Sequence, residues 1–272
     1  MQPIGVFDSG VGGLSVLQAL RSELPHEHFV YVSDAGHAPY GERDVAHVLQ
    51  RSLAIGDYLV RRQGARALVV ACNTATAAAI AALRAAYPAL PIVGVEPALK
   101  PAAAQSRTGR VGVLATRGTL ASEKFQVLLQ AQNPKVHFVL QACDGLASAI
   151  EHDDAEQISA LCARYTANLG LFGVTPGAID TVVLGCTHYA FAATELQMRV
   201  GPDVTLLDAG QPVAQRTHTL LAQENTANSL APASEENQIW VNLCTTGAAP
   251  VLQGAANRWL TDCGPVRHLA LP

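Results

Sequence analysis

Short apolar runs recur along the chain at the intervals produced by strands alternating with helices: IGVF (4–7), FVYV (29–32), ALVVA (67–71), IVGV (92–95), RVGVLA (110–115), HFVLQ (137–141), TVVLG (181–185) and VTLLD (204–208). The segments between them favour helix. The stretch from Thr74 to Ala86 is nearly all alanine, with no Gly or Pro to interrupt it. Strands that alternate with helices need crossover connections, so the pattern predicts an α/β protein with mainly parallel sheets.

The two halves of this pattern echo each other. VVACNT (69–74) and VLGCTH (183–188) each end a strand in a cysteine that opens a helix, and IGVFDSG (4–10) and VGVLATRG (111–118) each end an earlier strand in short hydroxyl-bearing residues. The echo predicts two similar α/β domains facing each other across a central cleft, strand C-terminal ends inward, where open parallel sheets bind ligands. Residues 1–97 plus 209–272 form the first domain in this reading, and 98–208 the second. The tail is too short for its own core, and WVNLCTTG (240–247) reads as a strand returning to the first domain. The apolar-poor run from Gln223 to Gln238 reads as a surface loop.

Composition narrows the function classes. A 272-residue chain that is 49% hydrophobic has the material for real cores. The N-terminal MQPIGVFDSG lacks the basic start, long apolar stretch and cleavage site of a signal or anchor, which leads to the expectation of a cytoplasmic protein without membrane attachment. The net charge is −4 and the 18 Lys and Arg are scattered, so no footprint for nucleic acid is present and a small-molecule partner is expected. Whether the chain pairs as a homodimer stays open. Six cysteines without a CxxC pair read as reduced thiols.

Cys72 and Cys186 stand apart from the other four. Each is expected at a junction of strand end and helix start, where unpaired N–H groups and the helix dipole favour a thiolate. The alternative for either alone is a small buried hydrophobe. Two in matching halves, each followed by Thr or Asn-Thr donors, point instead to a paired function. Inverting a stereocentre by proton transfer needs a base on one face and an acid on the other, with the roles exchanged in reverse. Cys143, Cys162, Cys244 and Cys263 lack the context and are assigned to packing.

Asp8, in DSGVGG, suits either a substrate ammonium or the tuning of a nearby thiol, or else it is a helix cap. The glycines are no nucleotide fingerprint, since Ser15 falls where GxGxxG needs its last Gly. Asn73, Thr74 and Thr187 begin helices and can hold a carboxylate there, or simply cap them. His188 is placed to orient or protonate near Cys186, with capping or core packing as the plain alternative. Tyr40 and Gly41, in HAPYGER, are either site residues or an ordinary turn. The three lysines (Lys100, Lys124, Lys135) lie outside these motifs, so a pyridoxal Schiff base has no evident anchor. No HExxH or His/Cys cluster offers a metal site. No cofactor and no metal are therefore expected.

IGVFDSGVGGLSVL, PYGE, ACNTATA, GVEPALKPA, GVLATRGT, LGCTHYAF and TTG, in this order and spacing, resemble the bacterial glutamate racemases over nearly the whole chain. DSGVGG, ACNTATA and GCTH are closer to that family than to the aspartate or hydantoin racemases. The resemblance implies that Cys72 and Cys186 are the two acid/base residues, Cys72 working on D-glutamate and Cys186 on L-glutamate. It implies substrate contacts from Asp8, Ser9, Tyr40, Gly41, Asn73, Thr74, Thr119, Thr187 and His188. It implies auxiliary acid/base roles for Asp8, for His188 and for Glu151, whose preceding CDGLASAIE lacks a proline common in the family, as DAG (208–210) departs from the usual DSG. The product expected is D-glutamate for peptidoglycan. Some family members are activated by a cell-wall precursor through an N-terminal extension; Ile4 opens the first strand so early that this regulation is not expected here.

Three other readings remain at this stage. Racemisation of a shorter acid such as aspartate would need a smaller site. A two-domain binding protein would close on an amino acid without chemistry. A cysteine hydrolase would need a third group to orient a Cys–His pair.

Overall fold

The computed structural model describes residues 2–223, 241–260 and 263–271. Apart from Gln223, the run from Gln223 to Gln238 lies outside the described residues, as does Trp240. The chain is α/β, with two sheets whose strand pairings are all parallel. No described helix is long and apolar enough to cross a membrane.

One unit comprises Met1–Tyr40, Asp44–Val95 and Gly210–Pro272; the other comprises Gly41–Arg43 and Glu96–Ala209. In the first, the elements run β1 (Ile4–Asp8), α1 (Leu14–Glu23), β2 (Phe29–Ser33), α2 (Val45–Asp57), β3 (Ala67–Val70), α3 (Asn73–Ala86) and β4 (Ile92–Gly94). In the second they are α4 (Leu99–Gln105), β5 (Arg110–Ala115), α5 (Arg117–Ala121), α6 (Glu123–Gln130), β6 (His137–Ala142), α7 (Leu146–Glu151), α8 (Ala155–Leu169), β7 (Thr181–Gly185), α9 (Ala193–Val200) and β8 (Thr205–Leu207). The tail adds α10 (Gly210–Gln223), β9 (Val241–Thr245), α11 (Ala249–Trp259) and β10 (Arg267–His268). β9 pairs with β2, and β10 with β9.

The sheet orders are β10-β9-β2-β1-β3-β4 and β6-β5-β7-β8. The last four strands of the first sheet and the four of the second follow the same order, so β1 to β4 correspond to β5 to β8. The echo between the sequence halves is thus a structural repeat. It places DSG at the end of β1 against ATRG at the end of β5, and the Cys72 motif after β3 against the Cys186 motif after β7.

Helices on both faces require the inner strands to be apolar throughout. β1, β2, β3 and β7 are buried at every residue. The alanines of α3 let it lie close to its sheet, with Ala75 and Ala79 fully buried beside Leu68 and Val70. In the second unit, Leu114, Val182 and Leu184 form one core with Cys162, Tyr165 and Tyr189. Val111, Val113 and Val183 form another with Leu99 and Phe125.

Parallel sheets bind ligands beyond the strand C-terminal ends, where the strand order reverses. In the first sheet that point falls between β1 and β3, because β2 adds on one side of β1 and β3 on the other. In the second it falls between β5 and β7. The backbone pairing continues just past each strand, from Ala71 N–H to the Phe7 carbonyl at 2.8 Å and from Asp34 N–H to the Asp8 carbonyl at 2.9 Å.

The structure corrects several details of the sequence reading. β4 stops at Gly94 and β8 is only Thr205–Leu207, both shorter than their apolar runs. Cys72 does precede an α-helix, but Cys186 leads into a 3-10 turn, Thr187–Ala192, and the α-helix α9 starts only at Ala193. Cys263 is half-buried and so does not belong with the packed thiols.

Candidate active site

Cys72 ends the chain's exit from β3 in extended backbone (φ −138°, ψ 123°) and caps α3. Its Sγ accepts the Ala75 N–H at 3.5 Å and lies 3.8 Å from Ser9 Oγ. A helix N-terminus offers an anion unpaired N–H groups and the positive end of the dipole. Ser9 comes from the loop after β1, the strand beside β3. Both its N–H and its Oγ donate to Asp8 Oδ1, the latter at 2.9 Å. Asp8 is fully buried, Ser9 and Cys72 nearly so. A Cβ at Gly13 would stand 2.6 Å from Asp8 Cβ and 2.8 Å from the Tyr31 hydroxyl, so the last glycine of DSGVGG is set by close packing against the aspartate. Asn73 and Thr74 open α3 and are buried, and Asn73 Oδ1 has no hydrogen-bond partner among the described residues.

Cys186 is arranged differently. Its backbone is equally extended (φ −144°, ψ 136°), but no N–H is directed at its sulfur as a cap. Instead His188 Nδ1 lies 3.8 Å from Sγ, and His188 Nε2 meets Glu151 Oε2 at 2.9 Å. Glu151 is the last residue of α7, on the connection that follows β6. The Cys186–His188–Glu151 line is an arrangement in which a carboxylate fixes an imidazole and the imidazole addresses a thiol. Thr187 is buried in the same turn.

Thr116, just beyond β5, occupies the equivalent of Ser9, and Thr119 follows it in α5. Thr116 Oγ1 accepts the Thr119 N–H at 3.1 Å and donates to Thr119 Oγ1 at 2.9 Å. Gly41 groups with this unit, and a Cβ there would lie 2.7 Å from Thr116 Cβ, while one at Gly118 would lie 3.0 Å from the Gly41 carbonyl oxygen. Gly41 is therefore required by the approach of the Thr116 side chain, and Gly118 packs tightly on the Gly41 carbonyl.

Three of the other thiols are held in their neutral form. Burial pushes the Cys143 and Cys244 thiols up, and that of Cys162 to about 11, so they stay protonated near neutrality. Among the described residues no group of three or more His, Cys, Asp or Glu is placed to hold a metal.

Sequence reasoning passed over Asp34, Arg51 and Thr246. Asp34 directly follows β2 as Asp8 ends β1, which was the available signal; Arg51 sits on α2 with no local cue. Tyr40, Arg51 and Thr246 all donate to the fully buried Asp34 carboxylate. Burial is the largest influence on that carboxyl and opposes its charge. The hydrogen bonds from Arg51, Tyr40 and Thr246 and the charge of Arg51 together outweigh it and hold Asp34 below its ordinary value of 3.8. A carboxyl lowered by folding contributes stability that is present above its unfolded pKa and is lost as pH falls through the depressed folded value. The urea midpoint of Asp34→Asn should accordingly lie below that of the parent at neutral pH. The gap should narrow as pH falls below about 4. A gap that stays constant over an acid series would contradict the assignment.

The family described as Asp/Glu/hydantoin racemase matches residues 4–217. A glutamate racemase of Ectopseudomonas mendocina is 50% identical over 224 residues, which cover 81% of this chain and 82% of that relative. Among solved structures, a glutamate racemase from Bacillus anthracis superposes with a TM-score of 0.83 at 31% identity, covering 100% of this chain and 98% of the other. The Escherichia coli glutamate racemase, solved with L-glutamate and the activator UDP-MurNAc-Ala, gives a TM-score of 0.81 at 30% identity, with both chains fully covered.

Proposed function

The chain belongs to the Asp/Glu/hydantoin racemase family, and on that premise we propose that it is a cytoplasmic glutamate racemase supplying D-glutamate for peptidoglycan. The reaction runs without a cofactor, by proton transfer between Cys72 and Cys186 on opposite faces of the substrate α-carbon. The observation that carries this reading is the placement of the two thiols at corresponding points of a structural repeat, each at the strand-order reversal of its sheet.

In the D-to-L direction the Cys72 thiolate removes the α-proton and the Cys186 thiol delivers its own to the other face. In the L-to-D direction the roles exchange. The Ala75 N–H and Ser9 hydroxyl near Cys72 suit the negative sulfur. Asp8 orients Ser9 and presents negative charge toward a substrate ammonium. His188, steadied by Glu151, shuttles the proton at Cys186. Asn73, Thr74, Thr119, Thr187 and the Gly41 N–H bind the substrate's carboxylates and ammonium. The unmet acceptor of Asn73 supports this, since a buried polar atom without a partner costs stability unless a ligand satisfies it.

The test is polarimetric. After dialysis against a chelator and a carbonyl reagent, and with nothing added, the optical rotation of L-glutamate should decay to zero while that of L-aspartate stays constant. Faster turnover of aspartate would move the chain to another branch of the family. Activity that returned only with pyridoxal phosphate or a metal would overturn the mechanism.

A further inference from the structure

The Asp34 carboxylate is filled from several directions within the first unit. Arg51 grips it with two parallel N–H groups, Nε to Oδ2 and Nη2 to Oδ1, each at 3.0 Å. Tyr40 donates its hydroxyl to Oδ2 at 2.5 Å. Thr246, 212 residues further along the chain, donates to Oδ1 at 2.8 Å, and His37 Nδ1 lies 3.2 Å from the same oxygen. Asp34 has no exposure, and Arg51 and Tyr40 almost none. The tail is fitted closely to this turn. Gly36 N–H donates to Thr246 Oγ1 at 3.1 Å, a Cβ on Gly36 would lie 2.6 Å from the Thr246 carbonyl oxygen, and one on Gly247 would lie 2.8 Å from Ala35 Cβ.

A buried, bidentate ion pair of this kind is costly to desolvate and adds little net stability over apolar packing. What it fixes is direction. Tyr40 is the hinge of the matter, because it precedes Gly41 in the turn and its only polar atom points into the Asp34 cluster. We infer that Asp34, Arg51 and Thr246 are positioning residues for the racemisation: they hold the Tyr40 phenol inside the unit, so that the substrate meets the backbone of the Pro39-Tyr40-Gly41 turn and never the phenol. The inference rests on the proposed glutamate racemase function.

Two substitutions remove hydrogen bonds while keeping shape: Tyr40→Phe loses the bond to Asp34, and Thr246→Val loses the bond to Asp34 together with the one from the Gly36 N–H, so Gly36 is left out of the exchange comparison. They are compared with Glu27→Gln, which weakens a buried ion pair to Arg66 before β2 and β3, at the opposite ends of those strands. Steady-state kinetics should show KM for both enantiomers raised about tenfold in the first two variants, with kcat changed less. Hydrogen exchange followed by mass spectrometry should show the amides of residues 35–43 exchanging faster in the same two. Glu27→Gln should lower the melting temperature yet leave KM and that exchange as in the parent. Faster exchange with unchanged KM would overturn the inference by reducing the cluster to a structural staple. Raised KM with unchanged exchange would overturn it by making the phenol a direct contact, and an equal rise of KM in Glu27→Gln would overturn it by making the effect general. A parent protein inert on glutamate would sink the proposed function instead, and faster exchange in the two variants would still establish the cluster's hold on the turn.

Discussion

Cys72→Ala should abolish racemisation while leaving the protein folded. The side chain is small and nearly buried, at the first residue before α3, so losing one sulfur leaves a minor cavity and no unpaired charge. A missing acid/base group costs on the order of 10²–10⁴ in rate. Ser9 Oγ lies 3.8 Å from the sulfur, and a serine hydroxyl is far too weakly acidic to replace a thiol in that exchange. Cys186→Ala should fail equally, because inversion needs both faces. In deuterated water the single variants can differ: with Cys72 gone, Cys186 is still able to exchange the α-proton of L-glutamate with retention, and with Cys186 gone Cys72 does the same for D-glutamate. Either variant racemising at near parental rate, followed by chiral chromatography, would mean that one base serves both faces.

The second large effect is expected at His188. Its imidazole is the group that addresses the Cys186 sulfur, and Glu151 holds the far nitrogen. His188→Asn keeps polarity and removes the proton relay, and kcat/KM should fall about 10²-fold. The two enantiomers have equal free energy, so kcat/KM must fall by the same factor in both directions. The asymmetry appears elsewhere, in the primary isotope effect. α-Deuterated L-glutamate, whose deuteron the proposed mechanism assigns to Cys186, should show a larger effect in His188→Asn than α-deuterated D-glutamate does. Equal isotope effects, or an unchanged kcat/KM, would take His188 out of proton transfer.

The parts of this molecule that the sequence made legible are those decided locally. Strands buried on both faces must be apolar throughout, so β1, β5 and β7 appear as uninterrupted runs, and RVGVLA and TVVLG coincide with strand limits to the residue. The alanine stretch of α3 is readable for the same reason. What was not legible depends on long-range contact. β10 is a two-residue, exposed strand that exists only because β9 offers an edge. The turn after Cys186 winds as 3-10 where the motif resembled its counterpart at Cys72, so the helix-start argument holds for one cysteine and not for the other. The proline-free segment before Glu151 still forms a helix, α7, and brings the carboxylate to His188. The Asp34 cluster joins residues up to 212 apart, and no local pattern announces that Arg51 on α2 and Thr246 after β9 will share one carboxylate.

The two-base claim is tested most directly by the parent protein in deuterated water, stopped while only a few per cent of L-glutamate has turned over. In the proposed two-base mechanism both thiols carry solvent deuterons before each turnover. The D-glutamate formed should therefore contain one deuterium at the α-carbon while the recovered L-glutamate contains almost none, and the mirror experiment from D-glutamate should give the mirror result. Product that retains the original protium, or deuterium entering substrate and product at equal rates from the start, would show a single base reaching both faces and would contradict the account.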